Sequence, residues 1–352
     1  MKKSSKKDIR SLNLGEIQAW FEAHGEKSFR AKQVFEWLWQ KSAQGFDEMT
    51  NLSLPLRTKL KENFSLETVQ VDDKQVSQDR TIKSAFKLPD GNIVEGVLIP
   101  TDNRMTACIS SQVGCSLACK FCATGRLKRM RNLDPAEIYD QVVAIRNQSE
   151  EHYNIPLSNI VYMGMGEPLL NYKGLMGSVE KITSPEGLGM SPKRITVSTA
   201  GIARQIKRLA DDEVRFNLAL SLHAANDKKR SEIMAINDSN SLDALAEALM
   251  YFYEKTKNTI TFEYIVFKDF NDTLKDAQEL VEYCRRVPAK VNIIEYNPIG
   301  DGEFERADPE KVDRFAAYLE KHKIGVTIRR SRGKDIDAAC GQLANKNKAV
   351  VN

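Results

Sequence analysis

The chain has 352 residues, 41% of them hydrophobic and 28% charged, and no apolar run nears the ~18 residues of a membrane span, so a soluble, large α/β unit with an appendage is expected and a membrane protein is not. The net charge of +4 is too small to argue a nucleic-acid partner, and four of the six cysteines fall between residues 108 and 122, which excludes the disulfide framework of a small secreted domain. The basic start (Lys2, Lys3, Lys6, Lys7, Arg10) lacks the apolar stretch of a secretory leader, so it reads as a solvated tail and a reducing cytoplasmic location is expected.

Residues 13 to 64 read as helical. Asn13-Leu14-Gly15-Glu16 can start a helix, and Phe29, Gln33 and Trp37 recur at helical spacing, with Val34 and Leu38 widening the stripe. Trp37 and Trp39 read as core residues. With Met49, Leu52, Leu56 and Leu60 these elements make a helical domain over residues 1–75. Asp90-Gly91 marks a hairpin turn between two apolar runs, giving a β-hairpin linker over 76–103. From 104 to 345 strands and helices alternate, with strands expected at Thr106–Ser110, Ile160–Met165, Arg194–Ser198, Arg215–Ser221, Thr261–Phe267, Lys290–Tyr296 and Val326–Arg329. Asp134-Pro135-Ala136-Glu137 and Asp308-Pro309-Glu310 are helix starts: a capping side chain, proline at the first helical position and an acid in the first turn. Such alternation implies parallel strands with crossover helices, an open or closed (β/α) barrel rather than a doubly wound sheet, with the site at the strands' C-terminal ends.

The first barrel strand runs into Cys115-Ser116-Leu117-Ala118-Cys119-Lys120-Phe121-Cys122, a C-x3-C-x2-C spacing. Three thiolates can hold three irons of a cubane, and a missing fourth leaves one iron open to a chelating ligand. Zinc with Cys108, Cys284 or a histidine is the alternative. The segment resembles the radical S-adenosylmethionine superfamily, including the aromatic Phe121 before the last cysteine. That resemblance implies a partial (β/α)6-type barrel and a [4Fe–4S] cluster on Cys115, Cys119 and Cys122. It also implies S-adenosylmethionine chelated to the open iron and cleaved reductively to a 5′-deoxyadenosyl radical.

Strand-end loops supply the expected cofactor contacts. Gly164 and Gly166 allow close backbone approach to a ligand, and Glu167 could accept a hydrogen bond from the cofactor's ammonium. Ser198, Ser221-Leu222-His223 and Asn297 end later strands with polar groups. A basic run, Lys120, Arg126, Lys128, Arg129 and Arg131, lies beside this chemistry and suits phosphate contacts.

Three further residues narrow the reading. Cys340 sits in a loop between Gly333 and Gly341, Cys108 lies seven residues before the cluster motif, and Glu95 shares a strand face with Ile93, Val97 and Ile99. A carboxylate on an apolar face suits a proton acceptor. Together with Phe29-Arg30-Ala31-Lys32-Gln33 and Glu263-Tyr264-Ile265, these segments resemble the radical-SAM RNA methyltransferases that act on adenosine C2 in 23S rRNA and tRNA. The resemblance covers nearly the whole chain. One departure is Ala235, where the family usually has proline.

The resemblance implies a two-stage route. Cys340 takes a methyl from one S-adenosylmethionine, and a radical made from a second abstracts hydrogen from it. The resulting carbon radical adds to C2, Glu95 accepts a proton, and Cys108 attacks the Cys340 sulfur, leaving a transient disulfide. A flavodoxin-type electron donor and a monomer are expected. Methylation at C8 by related resistance enzymes, a radical enzyme acting on a protein, and a non-catalytic electron carrier are the competing readings.

Overall fold

The computed structural model describes residues 6–102, 104–300 and 303–345, so Lys2 and Lys3 lie outside the described residues. The N-terminal unit contains α1 (Leu14–Ala23), α2 (Phe29–Trp39) and α3 (Leu54–Asn63). Asn13 and Glu16 cap α1 reciprocally, each side chain accepting the other's backbone N–H. Trp39 is core, packed edge-on against Tyr139 at 5.1 Å. Trp37 is half-buried, with Lys41 4.2 Å above its ring. Arg10 departs from the solvated-tail expectation: it is buried and paired with Asp140 at 2.7 Å. A buried guanidinium is tolerated only with such a partner.

Ten strands lie in chain order across one sheet. They are β1 (Gln70–Val76), β2 (Ile82–Lys87), β3 (Ile93–Thr101), β4 (Arg104–Cys108) and β5 (Asn159–Tyr162). Next come β6 (Ile195–Thr199), β7 (Asn217–Ser221), β8 (Ile260–Val266), β9 (Ala289–Glu295) and β10 (Val326–Arg329). From β4 to β10 every pairing is parallel. The crossovers carry α4 (Pro135–Tyr153), α5 (Tyr172–Thr183), α6 (Ala203–Asp211), α7 (Asp227–Ile233), α8 (Leu242–Thr256), α9 (Leu274–Cys284) and α10 (Pro309–Lys321). This is the expected partial barrel. The Asp134 start of α4 forms a full capping box with Glu137, and Ala235 falls in a short 3-10 turn, Ala235–Ser239.

Two boundaries differ from the sequence reading. Residues 70–76 are a strand, not part of the helical unit. The hairpin β2–β3 is no separate linker, because β3 pairs antiparallel with β4 and continues the barrel sheet. The cause is burial: Ile82, Phe86, Val94 and Leu98 are nearly inaccessible, and a two-stranded hairpin could not cover them alone.

All seven residues of β8 are buried, as both faces of a parallel strand require. Phe262 and Tyr264 face outward onto Tyr283 of α9 and Phe315 of α10. Glu263 therefore faces inward, in register with Ser221 on β7 and Asn292 on β9.

Candidate active site

The cysteine loop follows β4 and its short extension. Its backbone is secured by neighbouring loops: Lys120 N–H donates to Ile233 O, and Ala123 N–H donates to Gly341 O at 2.7 Å. Cys115, Cys119 and Cys122 are half-buried free thiols. Burial first, and then the nearby Cys122, pushes Cys115 up to about 11; burial and both other cysteines push Cys119 higher still. Thiols that burial and mutual repulsion keep protonated are a donor set that a cationic iron core would neutralise. No three His, Cys, Asp or Glu side chains among the described residues gather around a point fit for one metal ion, whereas a cubane spreads its thiolates over separate irons.

Cys108, the last residue of β4, is buried, and Cys340 lies near it. Burial pushes the Cys108 thiol up to about 12, and the charge Cys340 would carry adds to this. Cys340 has accessible surface, yet the atoms packed around its thiol raise it to about 12 as well. Both are free thiols in this structure. The Cys340 carbonyl accepts from Asn297 Nδ2 at 3.3 Å, and Thr124 Oγ1 donates to Leu343 O at 2.6 Å. The Cys340 segment is thus docked directly on the cluster loop.

Glu95 is buried on the strand face that alternation suggests, but its surroundings there are polar rather than apolar. Its Oε1 lies 3.7 Å from Lys83 Nζ, and its Oε2 accepts backbone N–H groups from Ala344 at 2.9 Å and Asn345 at 3.1 Å. The register that places Val97 opposite Cys108 puts Glu95 on the same sheet face as Cys108.

The strand-end loops also differ in detail. Gly166 has φ +95°, and a Cβ there would lie 2.5 Å from Gln112 Cβ, so its close approach is to the extension of β4 rather than to a ligand. Glu167 lies near Cys115 and Cys119. Its oxygens accept from Leu169 N–H at 3.0 Å and Ala200 N–H at 2.8 Å, tying two strand ends together, and burial raises its pKa. The Thr199 side chain also hydrogen-bonds this carboxylate, and of its about four lone-pair sites one is left for a cofactor ammonium. Ser198 and Ser221 face each other at 3.4 Å. Leu222 is fully buried. His223, at φ +56°, accepts from Ile265 N–H on Nδ1 and meets Phe121 edge-on at 4.6 Å. Burial, then Arg230, holds His223 neutral, down to about 3. Buried Asn297 Oδ1 and Glu263 Oε2 have no hydrogen-bond partner among the described residues. Buried acceptors of this kind call for a donor, and a bound nucleoside or amino acid provides several.

Several contributors escape the sequence reading. Lys83 is one. Arg230, fully buried, donates to the carbonyls of Ala200, Ser221 and Leu222 and so fixes two strand ends. Nothing in a short charged helix marks it out. Of the basic run, Arg131 is not available to phosphate: it pairs with Glu137 at 2.7 Å and with Asp90 at 2.5 Å. Lys120 and Arg126 flank Glu303 at 3.1 and 3.8 Å, while Lys128 and Arg129 are exposed.

Residues 7–66 match the family described as ribosomal RNA large subunit methyltransferase N-terminal domain, and residues 109–284 match the radical SAM superfamily. A probable dual-specificity RNA methyltransferase RlmN from Christiangramia forsetii is 60% identical over 345 residues, covering 98% of each chain. The dual-specificity RNA methyltransferase RlmN of Geotalea uraniireducens is 42% identical, over 98% of this chain and 99% of that one. A crystal structure of a radical SAM methyltransferase from Sphaerobacter thermophilus superposes with a TM-score of 0.90 at 38% identity, covering 96% and 99% of the two chains. The superfamily match makes a [4Fe–4S] cluster and S-adenosylmethionine the cofactors, and the three half-buried thiols fit the cluster. The chain belongs to the RlmN family of radical-SAM RNA methyltransferases.

Proposed function

We propose that this enzyme methylates C2 of a specific adenosine in 23S rRNA and in tRNA through a methyl group carried on Cys340. The observation that carries the reading is the docking of the Cys340 segment on the cluster loop, with Cys108 beside it. Cys340, as thiolate, attacks the methyl carbon of one S-adenosylmethionine; the S–CH3 bond forms as the sulfonium–methyl bond breaks, and S-adenosylhomocysteine leaves with the electron pair. When bound, the cluster and a second S-adenosylmethionine, which Glu167, Ser198, Ser221, Leu222, His223 and Asn297 would hold, would supply the radical chemistry that takes a hydrogen atom from that methyl. The carbon on Cys340 bonds to C2, Glu95 takes the C2 hydrogen as a proton, and the unpaired electron left on the ring would pass to a one-electron acceptor, a role that the oxidised iron–sulfur cluster would fill. Cys108 thiolate then attacks the Cys340 sulfur. The S–S bond forms as the S–C bond breaks, and the carbon keeps the electron pair and takes up a proton.

With Cys108 and Cys340 engaged in this way, only Cys284 remains outside the cluster motif, too few ligands for a second, relaying cluster. An external flavodoxin-type donor therefore supplies the electron. The enzyme acts as a monomer in the cytoplasm, and no helix among the described residues is long and apolar enough to cross a membrane.

The test is anaerobic incubation of reconstituted enzyme with rRNA and tRNA fragments, then mass spectrometry of digested nucleosides. 2-Methyladenosine in both is expected. 8-Methyladenosine would overturn the regiochemistry, and no modified nucleoside in either would overturn the assignment of substrate.

A further inference from the structure

Lys83 and Glu95 are both about 5% exposed, on adjacent strands, and their charged atoms lie 3.7 Å apart. Neither charge is stable at such depth without the other. The separation exceeds the ~2.7–2.9 Å of a charge-assisted hydrogen bond, so Lys83 supplies charge without occupying Oε1. The two amides of Ala344 and Asn345 occupy Oε2 instead. One oxygen of Glu95 is thus pinned and the other left charged and unbonded, on the sheet face that carries Cys108. The same small cavity is lined by Asp73 and Gln75 of β1 and by Asn345. Lys83 is its cation, and Glu95 is Lys83's ion-pair partner among the described residues.

We propose that Lys83 is a positioning residue for the proton-accepting step: its ammonium orients Glu95 Oε1 without bonding it while the Cys340 segment clamps Oε2. The proposal rests on Glu95 being the proton acceptor. In that step the C2–H bond breaks, its electron pair stays in the purine ring, an O–H bond forms on Glu95, and the ring's unpaired electron passes to an oxidised iron–sulfur cluster as one-electron acceptor; Lys83 gives up no proton.

The experiment compares Lys83→Met, Lys83→Arg and Glu95→Gln in the reconstituted holoenzyme, with all cysteines intact. Three readouts are taken: methyl on Cys340, RNA–protein adduct on a denaturing gel, and methylated product. Methylation of Cys340 precedes any need for the base, so it reports that each variant is folded. Lys83→Met should methylate Cys340, accumulate adduct and lose product at least about tenfold, since Glu95 then lacks the cation that orients Oε1 toward its task. Lys83→Arg should restore product and clear the adduct, which a purely structural defect would not do. Lys83→Gln replaces Lys83→Met if that variant fails to methylate Cys340. If Glu95→Gln stalls with adduct while both neutral substitutions at 83 turn over normally, the role of Lys83 is refuted and the role of Glu95 stands. If Glu95→Gln itself turns over normally, the underlying assignment falls first.

Discussion

The resolving step should accelerate steeply with pH. A thiol titrating at about 12, as burial makes Cys108, is thiolate only to about one part in 10^5 at pH 7, against about one part in 30 for a free cysteine near 8.5. The nucleophile is the thiolate. The raised value therefore slows resolution at neutral pH, and each unit of added pH restores about tenfold until the thiol itself titrates. The secondary contribution from Cys340 disappears once that sulfur carries a methylene and no charge; burial, the larger cause, remains. The assay is a single turnover quenched at intervals and run on a denaturing gel, where the adduct migrates slowly and is nuclease-sensitive. Its decay rate should rise close to a hundredfold from pH 7 to pH 9. Cys108→Ala should hold the adduct at every pH. A decay rate that is flat, or that levels off near pH 8.5, would refute the claim that the buried thiol seen in this structure performs the step.

Three other outcomes follow from the packing. Arg10→Met leaves the Asp140 carboxylate buried without its cation, which should cost about 3–5 kcal/mol in urea unfolding; the double change Arg10→Met with Asp140→Leu should recover most of it. Gly341 has φ +84°, and a Cβ there would sit 3.1 Å from Phe121 O, so Gly341→Ala should cut Cys340 methylation several-fold with iron content unchanged. Lys128→Ala with Arg129→Ala should lower the salt dependence of RNA binding by about one log unit per log salt for each phosphate that is no longer neutralised. Arg131 is left out of that pair because its ion pairs hold Asp90 and Glu137.

How much is legible in the sequence depends on how far apart the interacting residues are. The cysteine spacing, the Asp134 helix start and the strand–helix alternation are encoded within a few residues, and each appears where expected. Arg10 looks like part of a solvated tail because its partner, Asp140, is 130 positions away. For Glu95 alternation gives the right face, but its surroundings come from Lys83 across a strand pairing and from amides about 250 positions downstream. Alternation cannot anticipate either. Gly166 stands out in the sequence as a position needing glycine, yet what presses on it is Gln112, a neighbour only the folded chain brings near. Arg230 carries no local signal at all, since its work is to bind carbonyls from two other strand ends.

The C-terminal segment explains why Cys340 can be studied by deletion of its sulfur alone. β10 is one edge of the open sheet and β1 the other. The chain leaving β10 crosses between them: Gly333 N–H donates to Asp79 at 2.8 Å, and Asp335 accepts from Ser77 Oγ at 2.5 Å and Gln78 N–H at 3.1 Å. It then docks on the cluster loop through the Gly341 and Leu343 carbonyls and reaches Glu95 through the Ala344 amide. Asn297 holds the Cys340 carbonyl. Each of these contacts, which together position residue 340, is made by main chain or by another residue's side chain. Cys340→Ala should therefore keep the fold, the iron and the binding of S-adenosylmethionine while placing no methyl on the protein and trapping no RNA. Circular dichroism, iron content and intact-protein mass measure these separately. Retained RNA methylation in that variant would refute the role of Cys340. Lost iron would show instead that the sulfur helps hold the cluster loop, which the backbone contacts argue against.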